Sequence, residues 1–192
     1  AIEELPEFNI TYMAVGRRGI AESQLYRNCP FVVIPDTLGS NAQGFKVNVI
    51  ILSKEKYRIE LDIGKGFSKE LSFGEKFEHD FFSFTIFKNT NENSYSRTYF
   101  PQKYYFYFND IHNLANAYRS KLFVDVNADR GSIISFSISG AVPAQISDYL
   151  NKLSEVYIRS NLNEKNEVSD NTIAFIDQQL KGIVDSLESA GV

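Results

Sequence analysis

Alternating apolar and polar residues predict a large part of the structure as β-strand. Residues 45–51 and 57–63 show this alternation, which is typical of half-buried strands, and the short link between them predicts an antiparallel hairpin. A further β region is predicted over residues 77–87, and an unbroken aromatic run predicts a strand from Tyr104 to Phe108. The residues predicted to face the core are Phe45, Val47, Val49, Ile51, Tyr57, Ile59, Leu61, Ile63, Phe82, Phe84 and Ile86.

The spacing of apolar residues changes to a helical period after residue 110. Residues 111–121 are predicted to form a short helix, with Asn109 or Asp110 accepting the first free amide protons. Alternation returns over residues 122–127 and 134–139, which predicts a second hairpin closed by residues 128–131. Glycine-rich or polar composition predicts loops over residues 64–66 and 89–94.

One long helix is predicted from Pro143 to the end of the sequence, because proline is tolerated in the first helical turn and none follows it. Its first part has an apolar face predicted to pack on the sheet, formed by Ile146, Tyr149, Leu150, Leu153 and Tyr157. Residues 159–171 are polar on nearly every side. Beyond them a coiled-coil stripe is predicted as the helix-pairing or oligomer interface, formed by Ile173, Ile176, Leu180, Ile183 and Leu187.

These elements predict an α+β fold in which a mixed or antiparallel sheet packs against helices on one face. We assign residues 1–141 to an α/β base and residues 142–192 to the long helix, which packs on the base and extends into a coiled-coil stem. A helix of this length reaches roughly 70 Å, so we expect its last part to project and to need a partner, either another copy of the chain or a return helix outside these residues. The alternative is that the stripe folds back onto the same domain as ordinary core.

Charge and the two ends of the sequence bear on partners and location. The net charge is −4 with a pI near 5.3, and no basic run interrupts it, so nucleic acid is not an expected partner. The sequence contains neither a signal peptide nor a transmembrane pattern. Because it opens without an initiator Met and stops within a helical pattern, we expect a segment of a longer protein, anchored in a membrane only through residues outside it.

No residue pattern predicts catalysis, a cofactor or a metal ion. His79 and His112 are isolated from any spaced ligand cluster, and Cys29 has no neighbouring base in sequence, so we interpret it as a small buried apolar residue. The phosphate-binding pattern G-x-x-x-x-G-K-S/T is missing from the sequence. No group of residues in the sequence therefore supports a hydrolase active site, and this segment is not expected to be an enzyme.

Several motifs resemble the extracytoplasmic region of Wzz-type chain-length determinants, the polysaccharide co-polymerases, in the form fused to a cytoplasmic tyrosine kinase. In the C-terminal half, the matching residues include the strand from Ile133 to Ser137. In the long helix they run from Val142-Pro143-Ala144 through Leu150-Asn151 and Tyr157-Ile158. Further matching residues are Asn161, Lys165-Asn166, Thr172-Ile173, Phe175-Ile176 and Gln179-Leu180. Tyr12 to Gly16 and Glu22 to Phe31 are similar to the variant common in Bacteroidetes kinases, so the likeness spans nearly the whole sequence.

This resemblance implies a domain that faces the periplasm, anchored in the inner membrane by transmembrane helices outside these residues. It implies homo-oligomers that act with the polysaccharide polymerase or export machinery to set the length of capsular or exopolysaccharide chains. The parent protein would then carry an autophosphorylating tyrosine kinase in the cytoplasm, with its catalytic domain outside this segment.

A second function remains open from the aromatic run. Rings from Tyr104 to Phe108 could stack on sugars, which would make the domain a glycan-binding or adhesion module on the cell surface. Aromatic residues in sheets are more often buried in the core. A row of rings exposed to solvent would favour the glycan-binding hypothesis, and buried rings would exclude sugar stacking on this run.

Overall fold

The computed structural model describes residues 1–16, 18–39, 42–64, 66–89, 102–127 and 133–191, except for the side chains of residues 127 and 187–190. Two short 3-10 turns, Ile2–Glu4 and Pro6–Phe8, precede the first strand. The α-helices are α1 (Ile111–Lys121) and α2 (Pro143–Ala190). The strands are β1 (Ile10–Val15), β2 (Glu22–Leu25), β3 (Phe31–Leu38), β4 (Val47–Ile51), β5 (Lys56–Leu61), β6 (Phe67–Ser72), β7 (Lys76–His79), β8 (Phe82–Lys88), β9 (Gln102–Phe108), β10 (Phe123–Asn127) and β11 (Ile133–Ser137).

The strands form antiparallel sheets, so the predicted α+β class is confirmed. The largest sheet has the order β2-β1-β9-β4-β5-β6, and a smaller one has the order β3-β8-β7. Strands β10 and β11 form a separate ribbon. The long C-terminal helix α2 is also confirmed.

The core lies between the two larger sheets. The ring of Phe84 on β8 packs edge-on against Phe106 on β9, with centroids 5.3 Å apart, and Phe31 on β3 packs against Tyr104 at 5.7 Å. Such edge-to-face pairs contribute about 0.5–1.5 kcal/mol each beyond their buried area. We expected helices to cover the sheet on one face. The structure shows that the core face is covered by a second sheet, and that α1 and the start of α2 border the other face.

The hairpin predicted from alternation is confirmed as β4 and β5. Val49 pairs with Ile59 in antiparallel register, and both side chains are fully buried. The strands are shorter than predicted, so Phe45 and Ile63 lie just outside them. Both still pack, partly buried, against the core.

The β region predicted over residues 77–87 consists of two strands. A turn at Asp80 and Phe81 separates β7 from β8, and Phe77 pairs with Phe84 across the resulting hairpin. The sequence pattern did not locate this turn, because both halves carry large apolar residues and the turn contains neither glycine nor proline. The predicted inward direction of Phe82, Phe84 and Ile86 is confirmed by their burial.

The predictions after residue 108 hold closely. Helix α1 spans the predicted residues, and the Asp110 side chain accepts a hydrogen bond from the backbone N–H of Asn113 at 3.1 Å. Strands β10 and β11 pair antiparallel, with Val124 opposite Phe136. The predicted link at residues 128–131, like Lys65 and most of the predicted loop at residues 89–94, lies outside the described residues.

Two compact units divide the chain. One comprises Ile2–Leu150, and the other comprises the residues from Asn151 onward together with Ala1. The division falls within α2, whereas the sequence predicted a boundary between residues 141 and 142. The first turns of α2 therefore belong to the same unit as the sheets.

Candidate functional site

The candidate site is the exposed apolar face of α2, in the part of the helix from Asn151 onward that belongs to the second compact unit. Pro143 occupies the first helical position, where its missing N–H costs no hydrogen bond, and no later proline interrupts the helix. Hydroxyl side chains along the helix bond to their own backbone. The Thr172 hydroxyl donates to the carbonyl of Val168 at 2.8 Å, and the Ser169 hydroxyl to that of Lys165 at 2.9 Å.

The predicted helix-pairing residues form one stripe along this face. Ile173 is 58% exposed, Ile176 50%, Leu180 55% and Ile183 56%. We name these four residues the apolar seam. Leu187 continues the spacing on the helical backbone, but its side chain lies outside the described residues. Exposed aliphatic side chains in a continuous row mark an interaction surface more often than scattered ones do.

The sequence prediction missed an earlier part of this face. Leu162 is 56% exposed and stands eleven residues before Ile173, which at 3.6 residues per turn places it on the same side of the helix as the seam. A longer heptad count could have found it. Between Leu162 and Ile173, the positions that continue the seam hold the polar residues Asn166 and Ser169.

The predicted base-packing face of α2 becomes more exposed along the helix. Tyr149 is buried, and its ring meets that of Tyr118 on α1 with centroids 4.8 Å apart. Ile146, Leu150 and Leu153 are half-buried, whereas Tyr157 is exposed. The contact of Tyr149 is thus with another helix, in a position where the sequence predicted the sheet.

A second concave site lies within the first unit, beside β1, β2 and β9. Its cavity of about 200 Å³ has a mixed lining of polar, aromatic and aliphatic side chains together with one cation, including Gln24, Tyr107, Lys121, Gln145 and Ile146. The amide of Gln24 donates to the side-chain carbonyl of Gln145 at 3.0 Å. This bond links β2 to the start of α2. Nothing in the sequence pattern indicated this site, because its lining comes from distant segments.

The aromatic run of β9 is largely internal. Tyr105, Phe106 and Phe108 are buried, while Tyr104 and Tyr107 are half-buried. The Tyr105 hydroxyl donates to the carboxylate of Glu22 at 2.6 Å, and burial together with this carboxylate raises the pKa of Tyr105 to about 12. β9 therefore presents no row of solvent-facing rings.

The two histidines and the cysteine lie in different environments. His79 packs among aromatic rings, 5.6 Å from Phe82 between centroids, and His112 is exposed on α1. Cys29 is buried, as predicted, and that burial raises the pKa of its thiol to about 12. Across the described ranges, no three His, Cys, Asp or Glu side chains are grouped so as to hold a metal ion.

Comparison with protein families and with curated proteins provides no functional assignment for this chain. No protein-family model and no curated protein matches this chain. Among the helices of the described part, none combines the length and the apolar character that crossing a bilayer requires.

Proposed function

We propose that this chain is an assembly domain, whose long helix binds another helix through the apolar seam. The observation that carries the proposal is the exposure of four aliphatic residues at spacings of three, four and three. This is the heptad spacing by which helices pair. Burying each large aliphatic side chain on association contributes roughly 1.5–3 kcal/mol, so the exposed seam is a source of binding free energy.

The biological setting that we propose rests on the sequence resemblance. The chain acts as the periplasm-facing domain of an inner-membrane protein of the Wzz type, where copies assemble and thereby regulate the chain length and export of capsular polysaccharide or exopolysaccharide. Segments outside these residues would anchor it and connect it to a cytoplasmic tyrosine kinase. The α+β domain followed by a long helix supports this proposal, because the resemblance implies the same order of elements.

The test is the oligomeric state of the chain with and without the seam. Ile176→Asp combined with Ile183→Asp would place two carboxylates in the apolar contact, where each lacks a partner and costs several kcal/mol. We expect sedimentation velocity over a wide concentration range to show self-association of the parent chain, weakened roughly 100-fold or more in this variant.

A matched control uses the opposite side of the same helix. Asn171→Asp with Gln178→Asp adds the same charge at the same spacing of seven residues, and both positions are exposed. We expect this control to associate like the parent chain. A parent chain that stays monomeric at all concentrations, or equal sedimentation of all three proteins, would contradict the proposal.

A glycan-binding module is the second candidate, favoured by the cavity beside β1, β2 and β9. Amide and hydroxyl groups of Thr11, Gln24 and Gln145 lie in its lining with the ring of Tyr107, and these are the kinds of group that bind sugar hydroxyls and the apolar faces of sugar rings. This function does not use the seam. If the seam variants leave the oligomeric state unchanged, glycan binding becomes the better candidate.

A further inference from the structure

The charges that flank the apolar seam carry information about its partner. In heptad notation Ile173 and Leu180 occupy a positions, and Ile176 and Ile183 occupy d positions. The flanking e positions then hold Asp170 and Asp177, and the preceding g position holds Lys165; all three side chains are exposed. Residues at e and g positions lie beside the partner helix, and their charges set its identity and direction.

A second copy in parallel orientation satisfies these charges. In a parallel pair each g residue faces the e residue of the following heptad on the partner, so Lys165 of each copy faces Asp170 of the other. Two-fold symmetry forms this pair twice. Along α2, the described ion pairs lie nearer its start, where Lys152 meets Glu155 at 2.7 Å. The cation at Lys165 thus has its complement on the neighbouring copy.

The antiparallel orientation places like charges together. When two antiparallel copies align all four seam residues, e positions face e positions, and Asp177 meets Asp177 of the other copy. Like charges in such positions are destabilising by amounts similar to those that opposite charges contribute. The charges that flank the seam therefore favour the parallel orientation of two copies.

Asn166 fixes the register of the parallel arrangement. It occupies an a position one heptad before Ile173, so parallel copies in register place Asn166 against Asn166, where the two amides can bond to each other. Sliding one helix by a heptad would place this amide against Ile173. A polar residue at a single a position selects register in this way at a cost in stability.

We propose that the seam binds the same seam of a second copy, parallel and in register, with Lys165 of each copy paired to Asp170 of the other. This inference rests on the proposed assembly function and adds the partner and its orientation. Its occupant is the chain itself, because Lys165 and Asp170 complement each other between two copies, and of the two orientations of a second copy only the parallel one brings them together.

Cysteine cross-linking distinguishes the two orientations. Parallel copies in register bring residue 176 next to residue 176, so Ile176→Cys should form a disulfide-linked dimer under mild oxidation, with loss of two thiol protons and two electrons to the added oxidant. The native Cys29 is 1% exposed and does not compete. Gln178→Cys, on the opposite side, is the matched control: it should associate like the parent chain but form no disulfide-linked dimer.

A charge reversal gives an independent measurement. Asp170→Lys would place the new ammonium group against Lys165 of the other copy, twice in the symmetric pair, and we expect association to weaken about tenfold. Lys165→Asp added to Asp170→Lys restores opposite charges and should restore the parent affinity. In the antiparallel alignment Asp170 faces Val184, so the single reversal would have no such effect.

The outcomes separate this inference from the proposed function. Selective cross-linking between Ile176→Cys and Leu180→Cys copies, without a 176-to-176 product, would show antiparallel pairing and overturn the inference while leaving assembly in place. If no cross-link formed but the Ile176→Asp and Ile183→Asp variant still associated more weakly than the parent, the parallel arrangement would also be overturned and assembly would remain. Failure of both the cross-links and the self-association would overturn the proposed function as well.

Discussion

Tyr149 packs its ring edge-on against Tyr118, and this contact ties the first turns of α2 to α1. The Tyr118 ring also meets Phe8 at 5.5 Å between centroids. Three segments far apart in sequence thus share one aromatic cluster within the first unit. Because Tyr149 is only 5% exposed, its ring stabilises the fold both by burying apolar area and by the edge-on geometry of the ring pair.

We predict that Tyr149→Ala lowers the free energy of unfolding by about 3 kcal/mol, because it leaves a cavity against Tyr118. Tyr157→Ala is the matched control on the same helix. Its side chain is 41% exposed, so the expected loss is below about 1 kcal/mol. Urea denaturation followed by circular dichroism measures both. Equal losses would show that the Tyr118 contact does not hold the start of α2.

Cys29 makes stability depend on pH in the alkaline range. Burial raises the pKa of its thiol from 9.0 to about 12, so the folded protein retains the proton that the unfolded chain releases above about pH 9. Stability contributed by the buried neutral thiol is therefore complete below pH 9 and is lost as the pH rises. Between pH 8 and 10.5 we expect a loss of about 2 kcal/mol from this residue.

The measurement compares urea unfolding of the parent and of Cys29→Ala at both pH values. Among the described tyrosines with raised pKa values, Tyr12 has Cys29 only as its smallest cause, so the difference in slope between the two proteins reports mainly the thiol. We expect the parent to lose the additional stability and the variant to lack this loss. Parallel pH profiles would mean that the thiol titrates equally in the folded and unfolded states.

The N-cap of α1 offers a prediction of smaller size. Asp110 accepts the backbone N–H of Asn113 at 3.1 Å and also its side-chain amide at 2.9 Å. Asp110→Ala removes both acceptors, and we expect it to cost about 1 kcal/mol and to speed hydrogen exchange of the Asn113 amide. Asp110→Asn keeps an acceptor and should stay close to the parent. An equal cost for both substitutions would exclude capping as the cause.

Local patterns predicted the elements whose burial follows their own periodicity. The hairpin of β4 and β5, the helix α1 and the seam spacing of α2 could be read directly, because each has an apolar face of the right period. Strands β1, β2, β3 and β6 were not predicted, and the residues of the edge strands β2 and β6 are mostly polar and exposed. Their assignment depends on hydrogen bonding to β1 and β5, which the sequence pattern does not contain.

By itself the sequence determined the α+β class, the start of α2 at Pro143, and which aliphatic residues share a helical face. Tertiary structure decided what covers each face. It places β9 between β1 and β4, and it brings Thr11 within 3.1 Å of Asn109, side chains 98 residues apart. Periodicity reports only that a face is apolar, because side-chain direction repeats locally; which surface meets that face depends on the packing of distant segments.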